Sequence, residues 1–137
     1  MRAPRIKRGA ALALATAALT ATAVAGAGSA SASSGGGCGG PTYKNVCISD
    51  HGDGAIGSDA YLNFGNVNPN CYLQQGVFDK TTRQFPVWQT VSCKNGYQHL
   101  GNALSNPASG HEYAAFVHIH WDGGDGYEAQ DSPVLTY

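Results

Sequence analysis

Charge is scarce in this sequence. Only 12% of its 137 residues are Asp, Glu, Lys or Arg, about half the ~25% usual in soluble domains. Half of the cations, Arg2, Arg5, Lys7 and Arg8, stand at the extreme N-terminus, and beyond them only Lys44, Lys80, Arg83 and Lys94 remain. Against the nine acids, all downstream, these four leave a net charge of −5 past residue 32. A chain without a Lys/Arg cluster offers neither the phosphate-tracking footprint of a nucleic-acid binder nor attraction to anionic lipid. Catalytic signatures are missing as well: there is no Gly-x-Ser-x-Gly, no His-Glu-x-x-His and no phosphate-cradling glycine loop ahead of a helix. A non-enzyme without a cofactor is the expectation. Cys-x-x-Cys is absent, which argues against a closely spaced zinc or redox pair. No run of helical amphipathic period is found. The longest weakly polar stretch, Ala10 to Ala25, is about 16 residues of mainly Ala and Thr, short of the ~20 needed for a membrane span.

That stretch follows a cationic start and precedes Ala30-Ser31-Ala32, small residues suited to signal cleavage. Residues 1–32 therefore read as a secretory signal peptide and the protein as secreted and extracellular. The remainder, about 105 residues, is one small domain with little core to spare. In an oxidising compartment its four cysteines, Cys38, Cys47, Cys71 and Cys93, are expected to form two disulfides. Three connectivities are possible. The sequential pairing, Cys38 with Cys47 and Cys71 with Cys93, is preferred because both loops are short, although sequence alone leaves the choice open.

Residues 33–41, a Ser/Gly stretch, read as a flexible arm ahead of a single β domain over residues 42–137. Short β-prone runs follow at Tyr43 to Ser49, Ala60 to Phe64, Cys71 to Phe78, Gln84 to Ser92, Tyr97 to Leu100, Tyr113 to Trp121 and Val134 to Tyr137. Asp79 to Thr82 would turn one hairpin. Asn95-Gly96 would turn another as a type I′ turn, pairing Tyr97 to Leu100 back on the preceding strand. In Gln84 to Ser92, the residues Phe85, Val87, Gln89 and Val91 share one face, with Pro86 marking an edge or bulge. Gly101 to Gly110, holding Asn106-Pro107, reads as a loop. The fold class is all-β, a small antiparallel β-sandwich or barrel stapled by two disulfides.

The clearest chemistry lies in Tyr113 to Trp121. Period two places Tyr113, Ala115, Val117, Ile119 and Trp121 on the core face. His118 and His120 then share the opposite side with Asp122. Two imidazoles and a carboxylate at that spacing can ligate zinc or copper, with His51, His99 or His111 as a further ligand brought up in space. The ordinary alternative is a pair of solvated side chains. Asp122 to Glu128 and His51-Gly52-Asp53-Gly54 carry carboxylates but miss the EF-hand spacing and read as turns.

All thirteen aromatics, seven Tyr, four Phe and two Trp, fall after residue 32. That is more than a small core needs, so an aromatic β face or loop tip is a plausible docking surface for an extracellular protein or a cell-envelope glycan. In size and disulfide count the domain resembles the small secreted metalloproteinase inhibitors of actinobacteria, and since no motif carries the resemblance, no residue role transfers. The sequence thus points to a non-catalytic extracellular binding or envelope-associated protein, a proteinase inhibitor among the possibilities. A secreted metal-binding protein built on His118 and His120 is the alternative.

Overall fold

A computed structural model of the chain describes residues 33–137, and the expected signal peptide over residues 1–32 lies outside them. The order of elements is β1 (Ser34–Gly35), β2 (Gly37–Gly39), β3 (Lys44–Asp50), β4 (Ala55–Phe64), β5 (Tyr72–Asp79), β6 (Gln84–Ser92), β7 (Gly96–Ser105), β8 (Glu112–His120), β9 (Glu128–Asp131) and β10 (Leu135–Thr136). The described residues contain no helix. All pairings are antiparallel and form two sheets. One runs β1-β10-β8-β5-β6, with β9 also paired to β8, and the other runs β2-β3-β4-β7. Neither closes on itself, so the architecture is a sandwich and not a barrel.

The sheets meet through side chains that alternate along each strand. Leu73 and Val77 of β5, Tyr113, Ala115, Val117 and Ile119 of β8 and Leu135 of β10 face Val46, Ile48, Ile56, Ala60, Leu62 and Phe64 of the other sheet, all buried. The expected core face of β8 is therefore correct through Ile119. Trp121 is the exception: it lies just past the strand end, over a third exposed, with its ring edge-on to Phe64 at 4.9 Å.

Two polar side chains, Gln75 and Ser58, sit among these apolar ones and are satisfied. Gln75 is 0% exposed; its Nε2 donates to the Ser58 Oγ and carbonyl (2.5 and 3.2 Å), and its Oε1 accepts from Gln89 Nε2 (2.9 Å) and Asn102 Nδ2 (3.3 Å). The amide ties the two sheets in register, because a buried amide is tolerated only where its partners stand.

Both cysteine pairs close as the short-loop argument prefers, Cys38 to Cys47 and Cys71 to Cys93. Cys38 and Cys47 are direct partners across β2 and β3. The second bridge joins the start of β5 to the end of β6, where the Cys93 N–H also donates to the Cys71 carbonyl at 3.0 Å.

Several local expectations are corrected. The Ser/Gly arm is not a free tether: β1 pairs with β10 in one sheet and β2 with β3 in the other, so the segment straddles the sandwich. Gly35, Gly36 and Gly37 make the crossing with φ of 83°, 81° and 104°, and a side chain on Gly35 would run into the Val134 carbonyl. Glycine supplies both the left-handed backbone and the close approach. Asn95-Gly96 does not close a hairpin, because β6 ends in one sheet and β7 pairs with β4 in the other. The turn carries the chain between sheets, tied by Asn95 Oδ1 to the Val67 N–H and by the Gln98 amide to the Ser92 carbonyl and the Lys94 N–H. Gly101 to Ser105, read as loop, completes β7. Its small and polar residues suit an edge strand whose inward positions carry two large apolar side chains, Leu100 and Leu104, between the polar Gln98 and Asn102. Glu128, read as the end of a turn, begins β9, and Glu128–Asp131 pairs along β8.

Candidate functional site

The outer face of the six-stranded sheet should be solvated if β8 simply alternates. It is instead covered with rings. From β5 come Tyr72, Gln74, Gly76 and Phe78, from β8 Phe116, His118 and His120, from β6 Phe85 and Trp88, and from the β8–β9 connection Tyr127. Phe85 reaches this face because the register slips between Val77 and Asp79, opposite Phe85-Pro86. Proline cannot donate to the ladder, and the resulting bulge turns Phe85 away from the Val87, Gln89, Val91 face on which strict alternation would put it.

The rings form a continuous run. Tyr72 stacks on His120 (centroids 4.1 Å, planes 9° apart), His120 meets Tyr127 (5.3 Å), and Tyr127 stacks on His118 (4.1 Å, 23°). His118 contacts Phe116 (4.9 Å), which Phe85 meets edge-on at 4.9 Å, and Phe85 leans on Phe78 at 4.8 Å. Offset and edge contacts of this kind suit ring quadrupoles and add to burial.

The two histidines share the outward side, as period two requires, yet they are not solvated surface groups. His120 is buried beneath the tyrosines. Its Nδ1 faces the Gly124 carbonyl at 2.9 Å and its Nε2 faces the Gln74 side-chain amide at 3.3 Å. The Gln74 atom facing Nε2 is its side-chain oxygen, and its NH2 end is left toward the groove. Burial lowers the His118 pKa below the ordinary histidine value, the His120 ring adding to this and Asp131 opposing it. His118 is thus neutral at pH 7. Among the described residues, neither of its ring nitrogens has a hydrogen-bond partner in the protein.

Asp122 Oδ1 is engaged by the Gly124 N–H (3.0 Å) in the turn after β8. The structure does not gather His118, His120 and Asp122 into a ligand set, and no group of three or more His, Cys, Asp or Glu side chains placed to hold a metal occurs among the described residues. Of the other histidines, His99 pairs with Asp59 (2.8 Å) and stacks on Tyr61, and His111 pairs with Asp79 (2.9 Å).

A groove of about 300 Å³ opens on this face, lined by Gln74, Phe85, Trp88, Phe116, His118 and Tyr127. Trp88 is the direct partner of Gly76, whose missing side chain lets the tryptophan backbone settle against β5. Phe85, Trp88 and Tyr127 are 47%, 53% and 55% exposed. A second, more open cavity of about 390 Å³ shares Tyr127 as a wall, with Trp121, Asp122, Gly126 and Glu128. Glu128 is fixed there by Lys44, a nearly buried cation, and by the Trp121 Nε1–H at 2.9 Å, and these hydrogen bonds lower its pKa. Compared with family models, with curated proteins and with solved structures, the chain matches none.

Sequence reading found the histidines and the abundance of aromatics but did not assemble Gln74, Phe85, Trp88, Phe116 and Tyr127 into a site. A usable signal existed in β5, where Tyr72, Gln74, Gly76 and Phe78 alternate against Leu73, Gln75 and Val77. An outward set of that composition marks a face with something to cover.

Proposed function

We propose that the chain is an exported, non-catalytic protein that holds an extracellular or cell-envelope partner on the outer face of its six-stranded sheet. The observation that carries the reading is one groove flanked by three half-exposed aromatic side chains, Phe85, Trp88 and Tyr127. Large aromatics so presented bring binding energy with little side-chain entropy to lose. Export is supported by the pattern of residues 1–32 and fits the two disulfides. The groove lining holds no carboxylate, thiol or aliphatic hydroxyl to serve as nucleophile or acid partner for His118. The test is retention of the purified protein on cell-wall material and on concentrated culture medium. Retention should fall about tenfold in Trp88→Ala at unchanged melting temperature; retention indifferent to Trp88 would refute the assignment of this face.

A second reading, proteinase inhibition, is favoured by the exposed connection between β4 and β5. It is held by the Val67 N–H on Asn95 Oδ1 (2.9 Å), the Asn70 N–H on Asn68 Oδ1 (2.8 Å) and the Cys71–Cys93 bridge at its end. An inhibitor loop needs such rigidity. Slowed hydrolysis by secreted proteinases, relieved by substitution at Val67 or Asn68, would support it.

A further inference from the structure

Resting on that reading of the aromatic face, the geometry points to an uncharged oligosaccharide as its ligand, threaded through both cavities across Tyr127. Three observations converge. First, the groove presents aromatic walls and, at its floor, hydrogen-bonding groups that the protein leaves without partners: the two nitrogens of His118 and one end of the Gln74 amide. A neutral imidazole offers one donor and one acceptor, and the free Gln74 NH2 adds further donors. A sugar hydroxyl both donates and accepts, and a pyranose adds an apolar face of C–H groups that lies flat on an aromatic ring. A proline-rich peptide presents chiefly carbonyl acceptors and would leave the acceptor nitrogen of His118 unanswered. A quaternary ammonium would fill an aromatic cage but leave all of these groups desolvated and unpaired, which is costly.

Second, charge selects against ionic ligands. The groove lining carries no charged side chain, His118 being neutral at pH 7. The second cavity has the carboxylate of Asp122, with no cation in the cavity lining, beside Glu128, whose charge Lys44 offsets; Asp122 repels phosphate- or uronate-bearing polymers yet accepts from hydroxyls. Third, Tyr127 walls both cavities, and the first also presents Phe85 and Trp88 and the second Trp121. Aromatic platforms in two cavities that share a ring suit successive sugar units of one chain. At about 300 Å³ the first cavity lies at the low end of the ~300–1,000 Å³ of ligand pockets, so the ligand must extend beyond it to gain affinity.

The experiment titrates the purified, disulfide-bonded protein with cellohexaose, N-acetylchitohexaose and mannohexaose, following tryptophan fluorescence and calorimetric heat. Polygalacturonate, choline and decaproline serve as contrasting probes. At least one neutral hexasaccharide should bind with Kd of about 0.01–1 mM, more tightly than its disaccharide, while the three contrasting probes do not bind. Trp88→Ala should weaken binding about tenfold or more, and Trp88→Phe, which keeps a ring, should restore most of it. His118→Phe, which keeps the stack on Tyr127 but loses both nitrogens, should weaken it about three- to tenfold. The inference is overturned if no neutral hexasaccharide binds at about 10 mM, if binding ignores Trp88, or if choline or decaproline binds in their place. Should the sugars fail while Trp88-dependent retention on envelope material persists, only the saccharide assignment falls. If that retention is lost too, the aromatic-face reading falls with it.

Discussion

Replacing Gly76 by Ala tests how the site is built, because the added carbon would lie 2.6 Å from the Trp88 Cα and 2.8 Å from its Cβ, and closer still to the Val87 carbonyl oxygen. These are mostly backbone atoms of the partner strand, and no side-chain rotation relieves them. Relief requires β6 to move away from β5 by several tenths of an ångström or more. As β6 is an edge strand, it can yield, which limits the penalty to the overpacking range of about 1–3 kcal/mol, less up to about 1 kcal/mol from the stiffer unfolded chain. For a domain of this size, each kcal/mol corresponds to about 4–8 °C in Tm. At a net penalty of about 1–2 kcal/mol, thermal unfolding of Gly76→Ala should show a drop of about 4–16 °C. The movement also carries Trp88 out of line with Phe116 and His118, so ligand retention should fall further than stability alone explains when measured well below the transition. A variant with parental Tm and parental retention would refute the close seating of Trp88 on Gly76, and with it the reason for glycine at this position.

Ile119→Ala, at a fully buried position of β8, should destabilise by about 2–5 kcal/mol in urea titrations through lost burial and a residual cavity; a loss under about 1 kcal/mol would contradict the packing. Cys71→Ala with Cys93→Ala opens a loop spanning 22 positions and should cost about 3 kcal/mol on the chain-entropy estimate, read as a shifted urea midpoint against the oxidised parent. Burial acts to raise the Asp79 pKa, but hydrogen bonds from His111 and the Thr82 backbone outweigh it and hold the carboxyl below its ordinary value. A depressed folded pKa means that its stabilisation is full above the unfolded value of about 3.9 and is lost as pH falls through the folded one. Asp79→Asn should therefore flatten part of the acid limb of the stability profile below about pH 4; an unchanged limb would remove Asp79 from the account.

The elements most legible in the sequence were those set by local chemistry. Gln84 to Ser92 was bounded correctly by its β-branched and aromatic content between turn residues, and the core face of β8 followed from period two through Ile119. Short loops favoured the disulfide pairing that forms. Tertiary structure decided what period two cannot state: which sheet a strand joins and what covers its outer side. Asn95-Gly96 has the composition of a hairpin turn, yet the partner of β7 is β4, because the inward Leu100 and Leu104 and the Gln75 network close the sandwich only from the other sheet. Alternation placed His118 and His120 outward but could not say that Tyr72, Tyr127 and, through the Pro86 bulge, Phe85 arrive there from other elements. The sequence by itself determined composition, period and the disulfide-bonded β class, since these depend on neighbours along the chain. The groove belongs to tertiary structure alone, because its walls come from β5, β6, β8 and the loop before β9, and only sheet register and one bulge bring them onto the same face.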